Sequence, residues 1–109
     1  MSAGPSLHHP LPAELEVGRV LAALADDIRR EVLRRIGSDG PLFCGDLDLG
    51  VGKSTMSHHF TVLREAGLLH TEVVGNHRRI TRRDAVIDGR FPGLLASVGL
   101  PPASGSWDD

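Results

Sequence analysis

Residues 53–68 read KSTMSHHFTVLREAGL and have the clearest structural pattern in the chain. With successive residues about 100° apart on a helix, Met56, Phe60 and Leu63 share one side, and His59 lies on its flank. The opposite side carries uncharged polar side chains, namely Ser54, Ser57, His58 and Thr61. The pattern predicts an amphipathic helix that begins near Lys53 and stops at Gly67.

The segment after this helix predicts a β-hairpin. Leu69–Val74 and His77–Arg82 are rich in Val, Ile and Thr, and the Gly75-Asn76 pair between them is a two-residue turn signal. Two cations lie just beyond the turn, Arg78 and Arg79. Beside a polar helix, such a hairpin is typical of a wing that grips a nucleic-acid backbone. By itself it is equally typical of an ordinary surface hairpin.

Two amphipathic helices are predicted upstream. The first begins near Ala13 and reaches Leu24. The second starts at Asp26 and Asp27, whose carboxylates suit a helix N-terminus, and Gly37 is its expected end. Its four arginines are interpreted as solvated: Arg29, Arg30, Arg34 and Arg35.

The remaining elements are short. Residues 41–47 predict a brief third helix and residues 49–52 a turn. A last helix is expected over residues 84–98, broken near residues 91–93 because proline is costly inside a helix. The order of elements predicts a mainly α fold with a small β-hairpin wing, which is the winged helix-turn-helix plan.

Length and composition fit one domain of modest core. The chain has 109 residues, of which 40% are hydrophobic. We assign residues 13–99 to this domain, with a flexible arm at residues 1–12 and a flexible tail at residues 100–109. Pairing with a second copy would stabilise so short a domain. The single cysteine, the lack of a signal-like N-terminus and the short apolar runs predict a cytoplasmic protein outside the membrane.

Charge is distributed unevenly along the chain. The net charge of -2 argues weakly against a nucleic-acid partner. Between Lys53 and Arg83, however, six basic residues face two acidic ones, whereas the rest of the chain has six basic and twelve acidic residues. This segregation predicts a polyanion-facing surface that includes Arg82 and Arg83, although a merely solvated charged face would give the same counts.

We predict that the partner is double-stranded DNA. Short hydroxyls and an imidazole can hydrogen-bond both base edges and phosphate oxygens, and a helix N-terminus favours phosphate. The candidate base and backbone readers are Ser54, Thr55, Ser57, His58 and Thr61. The candidate phosphate contacts are Lys53, Arg64, Arg78 and Arg79, with Asn76 and His77 at the tip of the wing.

Other sequence signals are weaker. Residues 50–55 imitate the end of a phosphate-binding P-loop, but Leu47 stands where a further glycine is needed. The histidines at 58–59 are adjacent on a helix and point apart, and those at 8–9 belong to a solvated arm. Cys44 is interpreted as a buried small residue and not as a redox switch. No enzyme, metal site or cofactor is predicted.

Three segments carry a family resemblance: STMSHHF at residues 54–60, VLREAGL at residues 62–68 and LADDIRREVL at residues 24–33. They resemble the recognition helix and the second-helix opening of the ArsR/SmtB family of bacterial repressors, over residues 21–81. The resemblance implies a homodimer built on the first and last helices. It also implies binding to a pseudo-palindromic operator and repression until an effector releases the DNA.

The chain departs from that family in two places. Residues 46–51 are shorter than the usual third helix and turn, so the angle of the recognition helix is left open. The Cys-x-Cys pair of metal-sensing members is replaced by Phe43 and Gly45 around a lone Cys44, and no histidine follows Asp84. We therefore predict that this chain lacks the family's metal-sensing sites, and its effector is unknown.

The sequence as a whole predicts a sequence-specific DNA-binding regulator that acts as a homodimeric repressor. Two alternatives stay open at this stage. One is a winged helix that binds proteins and not DNA, since fold alone does not decide function. The other is a sensor that responds to a thiol oxidant or a ligand.

Overall fold

A computed structural model of the chain describes residues 7–107, and the rest of the expected arm and tail, residues 1–6 and 108–109, lies outside this part. Its helices are α1 (Val17–Leu24), α2 (Asp27–Asp39), α3 (Lys53–Ala66), α4 (Asp84–Arg90) and α5 (Leu94–Ser97). Its strands are β1 (Leu42–Phe43), β2 (Leu69–Val74) and β3 (His77–Arg82). Two single turns of 3-10 helix are found at Pro12–Glu14 and Cys44–Asp46. The winged helix-turn-helix prediction is confirmed.

The junction between α1 and α2 follows the sequence closely. Asp26 caps α2, because its Oδ1 accepts the backbone N–H groups of Ile28 at 2.8 Å and Arg29 at 3.1 Å. The hydrogen bond from the Arg29 backbone is the largest cause that lowers the pKa of this carboxyl. The first helix starts at Val17 and not near Ala13, since the backbone between the 3-10 turn and α1 is extended.

The predicted stop of the second helix at Gly37 is wrong. The α2 helix runs on to Asp39 and ends at Gly40, whose φ of 83° is costly for residues with a side chain. Gly37 is buried, and a Cβ atom there would overlap the Nη1 atom of Arg82. This glycine therefore allows a close tertiary approach and does not terminate the helix.

The helix α3 and the hairpin have the predicted bounds. Gly67 ends α3 in the left-handed conformation, with a φ of 92°. The strands β2 and β3 pair antiparallel, with Thr71 opposite Ile80, and Gly75 begins the turn at a φ of 61°. We call this hairpin, residues 69–82, the wing.

The predicted third helix is largely wrong. Leu42 and Phe43 instead form β1, which pairs antiparallel with β3 and places Leu42 opposite Ile80. The sheet order is β1-β3-β2. An extended segment satisfies the open edge of β3, and only the single 3-10 turn at Cys44–Asp46 remains of the expected helix. Helix α3 consequently lacks a full helical neighbour on this side.

The core lies between the helices and the inner face of the sheet. Its fully buried side chains include Val20, Val32, Leu33, Ile36, Leu63, Leu69, Ile80 and Ile87. The predicted break in the last helix is confirmed, because α4 ends at Arg90 and α5 begins at Leu94 after Gly93 in a left-handed conformation. These contacts hold α3 against the sheet with one side outward.

Both ends of the described chain contact the sheet at β2. The Nε2 atom of His9 accepts the backbone N–H of Thr71 at 2.9 Å, and the His9 ring stacks on His70 with centroids 4.2 Å apart. Trp107 stacks on His70 at 3.6 Å, and its backbone N–H donates to the Arg82 carbonyl. Segments that the sequence predicts to be flexible thus make specific contacts.

Candidate nucleic-acid interface

The outward side of α3 is the centre of the candidate site. Solvent reaches five polar side chains that were predicted to read DNA: Ser54, Thr55, Ser57, His58 and Thr61. On the inward side, Met56, His59 and Leu63 are buried, and Phe60 is half-buried. The predicted orientation of the helix is therefore confirmed, whereas DNA contact by these residues stays a prediction.

Arg29 ties α3 to the end of α1. Its Nη1 lies 3.2 Å from the Nδ1 atom of the buried His59, and its Nε donates to the Ala23 carbonyl at 2.7 Å. A guanidinium only donates, so His59 accepts through Nδ1 and carries its proton on Nε2 when neutral. Packing was the predicted role of His59, but the interpretation of Arg29 as a solvated residue is wrong. The sequence gives no local signal for this contact, which joins residues 30 positions apart.

The beginning of α3 offers both a cation and backbone donors. Lys53 is exposed in the first turn, and no side chain of residues 7–107 caps the helix at Gly52. The N–H groups of a first helical turn have no partner within the helix and attract anions. The arrangement suits a phosphate group at this end, as the sequence predicts.

The wing presents its two arginines in different states. Arg78 is exposed, as are Asn76 and His77 at the tip, whereas Arg79 is tied to Glu72 through hydrogen bonds of 3.0 and 3.1 Å. Consecutive residues of a strand point to opposite faces. Arg78 lines a cleft together with residues of α3, and Arg79 lies on the opposite face, where it is paired with Glu72.

Arg82 and Arg83 do not belong to the positive surface, and the charge-based prediction is wrong for both. They are 1% and 0% exposed. Arg82 pairs with Asp84 at 2.8 Å and also donates to the carbonyls of Leu33 and Pro101. Asp84 in turn accepts the backbone N–H of Ala103. Through these bonds, Arg82 and Asp84 connect residues 101–103 of the C-terminal segment with α2.

Arg64 is half-buried at the last turn of α3. Its Nη1 donates to the carbonyl of His8 in the N-terminal arm at 2.7 Å. This bond uses one of the five N–H donors of a guanidinium. The predicted phosphate contact of Arg64 therefore has to be made alongside the arm.

Cys44 lies in the wall of a cleft between the 3-10 turn, α3 and the wing. The thiol is half-buried, and burial raises its pKa to about 11, while the charge of Arg78 acts in the opposite direction. At neutral pH the thiol is therefore protonated, and the thiolate that reacts with oxidants is scarce. Among residues 7–107 no three His, Cys, Asp or Glu side chains lie close enough together to hold a metal ion.

Within the described residues, no helix has both the length and the apolar character that crossing a bilayer requires.

Comparisons with known proteins agree with this geometry. Residues 24–72 match a family described as "Helix-turn-helix domain". The chain is 30% identical over 83 residues to a relative named "Uncharacterized HTH-type transcriptional regulator YceK" from Bacillus subtilis (strain 168), and the match covers 73% of this chain and 83% of that relative.

Two solved structures have the same fold. One is an ArsR-like transcriptional regulator from Rhodococcus sp. RHA1, with a TM-score of 0.61 and 26% identity over 76% of this chain and 78% of that one. The other is an ArsR family transcriptional regulator with a TM-score of 0.64 and 23% identity over 83% of this chain and 91% of that one. The helix and wing of the candidate site thus belong to a fold shared with transcriptional regulators.

Proposed function

Because this chain belongs to the ArsR family of winged helix-turn-helix transcriptional regulators, we propose that it is a homodimeric repressor that binds a pseudo-palindromic operator through α3. Its proposed target is duplex DNA, so its proposed site of action is the cytoplasm. Repression follows if the bound dimer prevents polymerase from reaching the promoter.

One observation carries the proposal, namely the exposed polar side of α3. This side is lined by four hydroxyl groups and one imidazole, and none of these groups carries negative charge: Ser54, Thr55, Ser57, His58 and Thr61. A helix with such a surface can enter the major groove, where each base pair presents a distinct pattern of donors and acceptors. Lys53 at one end and Arg78 on the wing supply the flanking cations that phosphate contacts require.

The dimer is supported by the outward face of α1. Val17 and Leu21 are 48% and 47% exposed although both are apolar. Gly18, Ala22 and Ala25 lie between and beside them and are also exposed. A continuous uncharged face of this kind is typical of a surface that a partner covers. A second copy of α1 packed here would form a two-fold interface.

Two-fold symmetry sets the proposed geometry on DNA. The two α3 helices would enter successive major grooves about 34 Å apart, and the wings, with Asn76 and His77 at their tips, would contact the flanking backbone. Selection of binding sites from a random duplex pool tests this directly. We expect an enriched inverted repeat. A winged helix that only binds proteins would enrich no sequence and would not bind duplexes at low salt.

The wing provides the second test of DNA binding. Arg78→Ala should weaken binding to all sequences and lower the slope of log affinity against log salt by about 1, the loss of one phosphate contact. Arg79→Ala is the matched control and should change the slope less, because Glu72 already compensates that charge. Equal slopes for the wild type and Arg78→Ala would remove the wing from the interface.

The dimer is tested through α1. Leu21→Asp should give a monomer in light scattering and reduce operator affinity at least about tenfold, since each monomer then contributes its contacts alone. Leu11→Asp is the control, because Leu11 is 64% exposed outside this face. A dimeric Leu21→Asp protein would contradict the proposed interface.

A further inference from the structure

The cleft beside α3 has the dimensions of a small-molecule site. It has a volume of about 510 Å³ and lies between the 3-10 turn, the loop to Val51, α3 and the base of the wing. Ligand sites in proteins range from about 300 to 1,000 Å³. On the side opposite α3, the chain between β1 and Val51 forms only one 3-10 turn and a loop.

The floor and back wall of the cleft are apolar. Leu47 and Met56 are buried, and Val51, Phe60 and Cys44 are half-buried. Burial raises the pKa of the Cys44 thiol, which agrees with a poorly hydrated wall. DNA reading does not require such a floor, because base edges in the major groove offer few apolar groups besides the thymine methyl.

The rim of the cleft is positively charged. Lys53, Arg64 and Arg78 line it, and the acidic residue among its lining side chains is Asp48. The Asp48 carboxylate is engaged locally, since its Oδ1 accepts the backbone N–H of Gly50 at 3.0 Å. Ser57, Thr61 and Thr71 add hydroxyl groups. The cleft thus combines an apolar interior with a cationic, hydrogen-bonding opening.

We propose that this cleft binds an apolar small molecule that carries one carboxylate, and that the bound molecule releases the protein from DNA. The tail of the ligand contacts Leu47, Val51 and Met56, and its carboxylate pairs with Arg78 and Lys53. The binding step is independent of the function proposed above, whereas the release step rests on it.

Release follows from shared residues. Lys53, Ser57, Thr61, Arg64 and Arg78 line the cleft and are also predicted DNA contacts. A carboxylate at the rim neutralises cations that phosphates need, and the two ligands then exclude each other. Because the coupling is reciprocal, the factor by which the small molecule weakens DNA binding equals the factor by which DNA weakens binding of the small molecule.

The binding step is tested by NMR on the full chain with 13C-methyl methionine. The sequence has two methionines, Met1 and Met56, so Met56→Leu assigns the signal that reports on the cleft. The probes, used below their micelle-forming concentrations, are decanoate, decyltrimethylammonium with the same tail and opposite charge, and acetate with the charge alone.

We expect a saturable shift of the Met56 signal with decanoate, binding of decyltrimethylammonium at least about tenfold weaker, and no saturation with acetate, since both burial and charge contribute to affinity. No saturable shift with decanoate, or equal binding of the two long-chain probes, would overturn the proposal.

Two pairs of variants locate the ligand. Val51→Asn places a polar group in the floor and should weaken decanoate binding at least about fivefold, while Val74→Asn, on the outer part of the wing, should not. Arg78→Gln should weaken it about tenfold through loss of a charge-assisted hydrogen bond, and Arg79→Gln should not. Unchanged binding in both Val51→Asn and Arg78→Gln would place the probe elsewhere and overturn the assignment.

The release step is read by fluorescence anisotropy of a labelled operator duplex. Decanoate should displace wild-type protein, and Val51→Asn, which leaves the predicted DNA contacts intact, should need at least about fivefold more. Simultaneous binding of decanoate and duplex would refute release. If Met56 responds as expected but the protein binds no duplex, the cleft is supported and the function proposed above fails.

Discussion

Helices α2 and α3, of 13 and 14 residues, are of nearly equal length but use their polar surfaces in opposite ways. Each of the four arginines of α2 donates to a group of the chain itself: Arg29 and Arg30 to carbonyls at the end of α1, and Arg34 and Arg35 to Glu31. The outward hydroxyls and imidazole of α3 make no side-chain hydrogen bond within residues 7–107.

The comparison shows that the number of charges on a helix does not tell how many of its polar side chains are free to contact a partner. The helix richest in arginine uses that charge internally, whereas the helix with a single exposed cation keeps a row of polar groups free for a partner. The recognition surface that we propose is therefore marked by side chains without an internal role, whereas a count of basic residues would select α2 instead.

The largest expected effect lies on the α2 side of this comparison. Arg29→Ala leaves the carbonyl of Ala23 and the Nδ1 atom of His59 without their donor, so the free energy of unfolding should fall by about 2–3 kcal/mol. Arg34→Ala, which removes only an exposed pair with Glu31, should change it by less than about 0.5 kcal/mol. Urea denaturation measures both. Equal losses would mean that the arginines of α2 are not divided in this way.

The next effect lies on α3. His58→Ala should reduce affinity for the preferred operator about tenfold and relax base preference at one position of each half-site, because one direct contact is lost. The free energy of unfolding should stay within about 0.5 kcal/mol of wild type, as is usual for exposed positions. Site selection and urea denaturation check the two parts. A His58→Ala protein that is strongly destabilised but selects the same DNA sequences as the wild type would contradict the division of roles between α2 and α3.

The smallest effect concerns the start of α2 and depends on pH. Asp26→Ala should lower the free energy of unfolding by about 1 kcal/mol at pH 7, through loss of the helix cap. The pKa of Asp26 is lowered in the folded state, so its charge stabilises the fold above the unfolded pKa of roughly 3.9 and ceases to do so as pH falls through the folded value. The difference in free energy of unfolding between Asp26→Ala and the wild type should therefore become smaller below about pH 4.

Asp27→Ala is the control for this titration. Asp27 is paired with Arg30, but its side chain is 91% exposed, so its replacement should cost less than that of Asp26 at pH 7. Thermal unfolding at pH 7 and pH 3 compares the two. A constant difference for Asp26→Ala across this range would contradict a charged cap.

Local signals carried the accurate part of the sequence prediction. The bounds of the wing follow from strand alternation around Gly75-Asn76, and the end of α3 follows from Gly67, because each is set by neighbouring residues. Gly37 was misread because its role is tertiary: it makes room for Arg82, which is distant in sequence. The prediction of a brief third helix was wrong for the same reason, since Leu42 and Phe43 pair with the edge of β3 instead of following their local preference.

The candidate site was predictable in its orientation but not in its charge. Helical periodicity alone placed the polar side of α3 outward. Arg82 was wrongly assigned to the surface, although β3 alternates and Arg82 shares the face of the buried Ile80, with Asp84 close behind as a partner. The cleft could not be predicted, because its lining comes from the 3-10 turn, the following loop, α3 and the wing, which only the tertiary fold brings together.

The stacking of Trp107 on His70 gives the molecule an internal optical probe. The chain has one tryptophan, and that indole lies against a ring of β2 while its backbone is bonded to β3. Its emission therefore reports detachment of the C-terminal segment without any attached dye.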